Sequence, residues 1–233
     1  MPKETGMTDL TFVYFKMRAL GEAPQMMLHY RNQPYRYVMG WEHFGKPWAD
    51  AKRGAAFRQL PMLVTEDGTQ ITQTGAIMRY LAGRLDLMPS DPLAAAQADE
   101  VFEGAHELFR PLNPPVNFHT GDQFAASREA CLPVLHARFA DFELLLARHG
   151  GPFFLGSDPC YCDFGAFHHI DLAHFMDEAI LEDYPRLRDF MAAMHGLPGL
   201  ATYLAERPEL TGVGVGPKLV IDGRPVPTGI MAD

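Results

Sequence analysis

FRQLPMLVTEDGTQITQTGAIMRY, residues 57–80, is the stretch on which the reading of this chain turns. Pro61 stands just before an apolar run, Met62 to Thr65, that reads as a strand. Glu66-Asp67-Gly68 is a tight-turn signal of the kind that reverses a hairpin. Gln70 and Ile71 continue into a second short strand. Gln73 and Thr74 then precede Ala76, Ile77, Tyr80 and Leu81, which recur at helical spacing, so Thr74 is an N-cap or first-turn residue. A helix start carries unpaired backbone N–H groups and the positive end of the helix dipole, which together make a seat for a carboxylate. By itself the stretch fits an ordinary hairpin feeding a helix as well as it fits a binding site.

Working outward toward the N-terminus, Leu10 to Phe15 is too continuously apolar for a half-exposed strand and reads as buried on both faces. Arg18 to Tyr30 carries apolar groups at helical spacing, with Pro24 tolerated near a first turn. Tyr35 to Met39 reads as a strand, and Trp41 to Gly54 as a loop holding a short helix around Trp48 to Lys52. The order strand, helix, strand, loop, strand, strand, helix is met by a small mixed sheet covered by helices.

Toward the C-terminus, residues 86–91 (DLMPSD) read as a linker. Beyond them the chain is helical: Pro92 to Phe109, Gln123 to His149, Tyr161 to Asp177, Tyr184 to His195 and Pro198 to Glu206. Pro111, Pro114 and Pro115 predict a break over Arg110 to Thr120, and Pro133 predicts a kink or a beginning. The tail, 212–233, contains KLVIDGRPVP, which predicts a hairpin around Asp222-Gly223 and a possible lid. The expected domains are therefore 8–85, α/β in the order βαβαββα, and 92–211, all-α.

The chain has 233 residues, 47% of them hydrophobic, enough for one or two domains with a sizeable core. A formal charge of -9 argues against non-specific binding of nucleic acid or anionic membrane. Cys131, Cys160 and Cys162 lack zinc spacing and suit a reducing compartment. The first residues lack the apolar run of a signal peptide, and no segment has a membrane-spanning length, so a cytoplasmic setting is expected. His168-His169 and His174 do not make a metal set, because adjacent helical residues point apart; no metal is expected.

Tyr14, Gln59-Leu60-Pro61 and Gln73-Thr74, met in that order in an α/β half followed by a helical half, resemble the cytosolic glutathione transferases over roughly Leu10 to Glu206. The pattern is most similar to the tyrosine-type classes, and among them to the sigma class. The resemblance implies a thioredoxin-like N-terminal domain, an all-helical C-terminal domain, a homodimer with its sites near the interface, and glutathione as cosubstrate. It implies that Tyr14 is catalytic and that Arg18 helps order the site. It assigns Trp48 and Lys52 to the glycine end of glutathione, and Gln59, Leu60 and a cis Pro61 to the loop whose backbone meets the cysteinyl part. Gln73 and Thr74 would grip the γ-glutamyl carboxylate. Asp99 would reach the amino group of glutathione on the partner subunit. Asp163 matches a buried helix-capping aspartate, with Cys160 where relatives have serine or threonine; the cap is then weaker, or is supplied by Asp158. Gln25 stands where many relatives have arginine.

The implied chemistry is conjugation. A free thiol has a pKa near roughly 8.5, so little of it is ionised at neutral pH. A phenol donating a hydrogen bond to sulfur favours the thiolate, and a helix starting at Arg18 would add a favourable dipole. An apolar electrophile would then lie against Phe15, Leu20, Phe109 and Asn113, with Phe118, His119 and Phe167 beside them. The alternatives are glutathione-dependent isomerisation or lyase chemistry, and a crystallin-like structural or carrier dimer with little activity.

Overall fold

The computed structural model describes residues 10–207, 213–214, 219–221 and 224–226. Its N-terminal part runs β1 (Leu10–Tyr14), α1 (Glu22–Tyr30), β2 (Tyr35–Met39), α2 (Gly40–Phe44), α3 (Trp48–Ala51), β3 (Met62–Val64), β4 (Gln70–Thr72) and α4 (Thr74–Arg84). The four strands form one sheet in the order β2-β1-β3-β4. β1 runs parallel to β2 and antiparallel to β3, and β3 is antiparallel to β4. Every residue of β1 is buried, as its unbroken apolar run requires of a central strand.

The helical part comprises α5 (Pro92–His106), α6 (Phe109–Asn113), α7 (Gly121–His149), α8 (Tyr161–Met176), α9 (Pro185–His195) and α10 (Pro198–Glu206). α8 is buried along nearly its whole length and is the axis of this half, packed against α5, α9 and, from the other domain, α1. An amphipathic helix shows one apolar stripe; α8 is apolar nearly all round because it has neighbours on every side.

Three local expectations are corrected. Helix α1 begins at Glu22; Arg18 caps only the 3-10 turn Ala19–Gly21 that leads into it, so the α-helix starts four residues later than expected. The proline-rich segment does separate α5 from α7, but it is helical and not irregular: Phe109–Asn113 is a short helix and Pro114–Phe118 a π turn, closed by the His119 N–H donating to the Pro114 carbonyl at 2.7 Å. Pro133 lies inside α7 and does not mark its beginning. In the tail, β5 (Leu219–Ile221) and β6 (Arg224–Val226) pair antiparallel as the expected hairpin. The Gly121 N–H donates to the Gly214 carbonyl at 3.0 Å. The hairpin's turn and side chains, and with them the expected lid, lie outside the described residues.

Candidate active site

Sheet register gathers the site. Val13 is opposite Met62, and Met62 is opposite Thr72. One residue further along, Tyr14, Pro61 and Gln73 therefore meet at the same edge of the sheet. The Leu60–Pro61 peptide bond is cis. Gln73 has φ 73° and precedes Thr74, the first residue of α4. The Gln73 amide donates to Gln59 Oε1 at 3.2 Å, so the two glutamines stand together at this edge. The Thr74 hydroxyl donates to the Leu20 carbonyl at 3.3 Å. Its hydrogen is thus engaged, while the first N–H groups of α4 remain without intrahelical partners.

Tyr14 is buried at the end of β1 and lies against the Ala19–Gly21 turn. Gly21 permits that closeness: a Cβ there would sit 2.5 Å from Tyr14 Cδ1. The Leu20 N–H donates to Tyr14 Oη at 3.1 Å. Because the phenol accepts in that bond, its own O–H remains a donor for another group. Burial pushes the Tyr14 pKa well above the ordinary phenol value, with the Leu20 bond opposing the shift. The group is therefore a neutral phenol at physiological pH.

Other expected residues surround this centre. Phe15 packs edge-on to Trp48, with ring centroids 5.4 Å apart. Its carbonyl accepts from the Tyr37 hydroxyl at 2.5 Å. Lys52 is half-buried just past α3, and Leu60 is buried against Gly40 and the cis proline. α6, which carries Phe109 and Asn113, packs on the Ala19–Gly21 turn that contacts Tyr14. Asn113 Oδ1 accepts from the Asn117 amide at 3.0 Å. Phe118 and His119 end the π turn, both half-buried. Phe167 is different: it is fully buried in α8 against the His195 ring and presents no surface to a pocket.

Arg18 is buried and lies 3.7 Å from Asp171 and 3.9 Å from Glu22. Arg207 bridges the same two acids at 2.7 and 2.8 Å. Glu22, Asp171 and Arg207 were not singled out in the sequence. Their only local signal was the i, i+4 spacing of Arg18 and Glu22.

Residues 10–83 match the family model described as the glutathione S-transferase N-terminal domain, and residues 116–207 match the glutathione S-transferase C-terminal domain. Glutathione S-transferase P 10 of Caenorhabditis elegans is 30% identical over 195 residues, 83% of this chain and 90% of that protein. Glutathione S-transferase Mu 1 of Rattus norvegicus is 28% identical, covering 82% and 88% of the two chains. The Pi-class glutathione S-transferase structure from Onchocerca volvulus superposes with a TM-score of 0.76 at 25% identity, covering 89% of this chain and 99% of that one. The chain belongs to the glutathione S-transferase family. Its cosubstrate is glutathione, and its N-terminal domain is the thioredoxin-like, glutathione-binding one.

In this transferase Asp99 is held within its own chain. It accepts from Arg79 Nε at 2.8 Å and from the Tyr161 hydroxyl. Arg79 also pairs with Glu103. Asp163 caps α8: its carboxylate accepts the Phe154 N–H at 2.9 Å and the Cys160 N–H at 2.8 Å. The Cys160 thiol stands at the N-cap, 3.2 Å from the Cys162 sulfur. These two sulfurs and Asp163 are close enough to hold a soft metal. However, both carboxylate oxygens already serve the cap, and burial raises the Cys162 thiol pKa, which opposes the thiolate such a metal requires. Asp158 takes no part in the cap and accepts from the Ser157 hydroxyl at 2.8 Å. Among the described residues no helix is long and apolar enough to cross a membrane.

Proposed function

We propose that this glutathione S-transferase is of the tyrosine type, with Tyr14 donating its phenol hydrogen to the glutathione sulfur and so favouring the thiolate that attacks an apolar electrophile. The observation that carries this reading is the Leu20 N–H bond to Tyr14 Oη, which leaves a neutral phenol with its hydrogen to give. The donor set fits the tripeptide. Leu60 offers backbone groups for the cysteinyl part. Gln59, Gln73 and the backbone N–H groups at the start of α4, that of Thr74 among them, suit the γ-glutamyl carboxylate, and Trp48 and Lys52 suit the glycine end. Leu20, Phe15 and Phe109, with Asn113, Phe118 and His119, form the side on which the electrophile would bind. Arg18 acts through the turn it opens and does not touch substrate. The sigma-class placement rests on the motif pattern; the relatives named above carry P, Mu and Pi-class names. A cytoplasmic homodimer is part of the same proposal. Phe57 is 73% exposed, an apolar ring that a partner subunit would cover. Asp99, already tied to Arg79, could reach the partner's site only with its second oxygen.

The test is Tyr14→Phe assayed with a panel of aryl halides, enones and epoxides. Loss of one preorganised donor predicts kcat lower by on the order of 10²-fold, with glutathione still bound. Unchanged turnover on every electrophile that the wild type accepts would overturn the tyrosine role.

A further inference from the structure

Leu20 N–H and Ala19 C=O belong to one planar peptide unit. Its N–H donates to Tyr14 Oη at 3.1 Å, and its carbonyl lies 2.5 Å from Nε2 of His168, on the core helix α8. A carbonyl can only accept, so Nε2 carries the hydrogen. The result is a continuous line of hydrogen bonds: His168 imidazole, Ala19–Leu20 peptide, Tyr14 phenol.

The turn needs such a brace. Ala19 has φ 29°, in the region that disfavours any residue with a Cβ. The following carbonyl, that of Leu20, is held by Thr74 at 3.3 Å, and the Gly21 carbonyl by Gln25 at 2.9 Å. His168 is the only contributor to this turn from the helical domain among these bonds. The imidazole has few alternatives, being buried with Nδ1 lacking a hydrogen-bond partner among the described residues. It faces Asp171, Arg18 and Arg207, with the His169 ring beside it. Burial pushes its pKa down to about 4, so the ring stays neutral, as a donor to one carbonyl should.

We propose that His168 is a positioning residue for glutathione activation: through the Ala19–Leu20 peptide it fixes and polarises the N–H that holds the Tyr14 oxygen. Accepting at a carbonyl strengthens the N–H of the same unit as a donor. A stronger bond into the phenol oxygen makes the phenol a better donor in turn. The helical domain thereby acts on thiol ionisation in the other domain without touching glutathione. This rests on the Tyr14 reading above.

The experiment compares wild type with His168→Gln, His168→Asn, His168→Leu and Tyr14→Phe. Each is titrated for the ultraviolet absorbance of the bound thiolate, with kcat and KM measured alongside. Gln can place an amide donor near the Nε2 position, while Asn is too short and Leu has no donor. Asn and Leu are expected to raise the bound thiol pKa and lower kcat about 5- to 10-fold at neutral pH, with the KM for glutathione little changed; Gln should stay near wild type. A merely structural role would lower melting temperature without moving the thiol pKa of the folded protein. Equal thiol pKa values in wild type, Gln, Asn and Leu, with Tyr14→Phe impaired, overturn the His168 proposal and leave the Tyr14 role standing. An unimpaired Tyr14→Phe overturns the underlying reading instead. Should Asn and Leu fail to fold, ¹⁵N NMR of wild-type His168 decides: a neutral Nε2–H tautomer from pH 5 to 8 supports the relay, and an Nδ1–H or charged ring ends it.

Discussion

At the scale of single residues, burial turns two adjacent histidines into acid-sensitive points. His168 has its pKa pushed down to about 4, and that of His169 is pushed well below its ordinary value, both chiefly by burial. Charged groups facing His168 are Asp171, Arg18 and Arg207. For a group whose folded pKa is depressed, the unfolded chain takes up the proton first. The stability it contributes is complete above the ordinary value of 6.5 and is lost as pH falls toward 4. For His168 the loss is at most about 3 kcal/mol. Asp163 has the opposite sign: burial raises it to about 6, so its contribution is greatest below 3.8 and declines as pH rises through 6. Urea midpoints should therefore fall between pH 7 and pH 5 in wild type, and fall less in His168→Gln, which keeps a donor and lacks the ionisable ring. Adjacent helical residues were expected to point apart; instead the His169 ring lies with its centroid 4.9 Å from that of His168. The His168 hydrogen bond to a carbonyl 149 positions earlier left no trace in local sequence.

At the scale of elements, α8 is decided at its first turn. Relatives were expected to have serine or threonine where Cys160 stands, and a thiol is a poor acceptor for the N–H it faces. Cys160→Ser should raise unfolding free energy by about 0.5–1 kcal/mol, read from denaturant titration. Asp163→Ala should lower it by about 3 kcal/mol, because the Phe154 and Cys160 N–H groups would be left buried and bare. The cap was legible through the resemblance, which matched Asp163 to a buried helix-capping aspartate. The segment Phe109–Phe118 was not, for a definite reason. Proline in a helix removes a donor and crowds the carbonyl four residues back. Pro114 and Pro115 fall at the first positions of the π turn, where both penalties vanish, and sequence spacing does not reveal where one short turn ends and the next begins. The strands, by contrast, followed their apolar runs to within a residue or two, since register on a buried sheet leaves little choice.

At the scale of the whole molecule, the two domains share a buried group of charges: Arg18 and Glu22 from the first, Asp171 and Arg207 from the second. Such a group adds little when whole but costs much when one member is removed. Asp171→Asn should lower stability by about 3–5 kcal/mol, measured by urea unfolding, and unfold both domains in one transition. Order of elements made the two-domain plan legible. The charges that join the halves were not, since pairing between distant positions carries no periodicity. The Glu22–Arg207 bond spans 185 positions. During synthesis the acid emerges from the ribosome long before its cation does. A nascent chain stopped short of Arg207 carries every group proposed to contact glutathione within one subunit, yet must leave Glu22 without its nearest counter-charge. The group of charges that joins the two domains is thus completed late, only after the last described helix, α10, has been made.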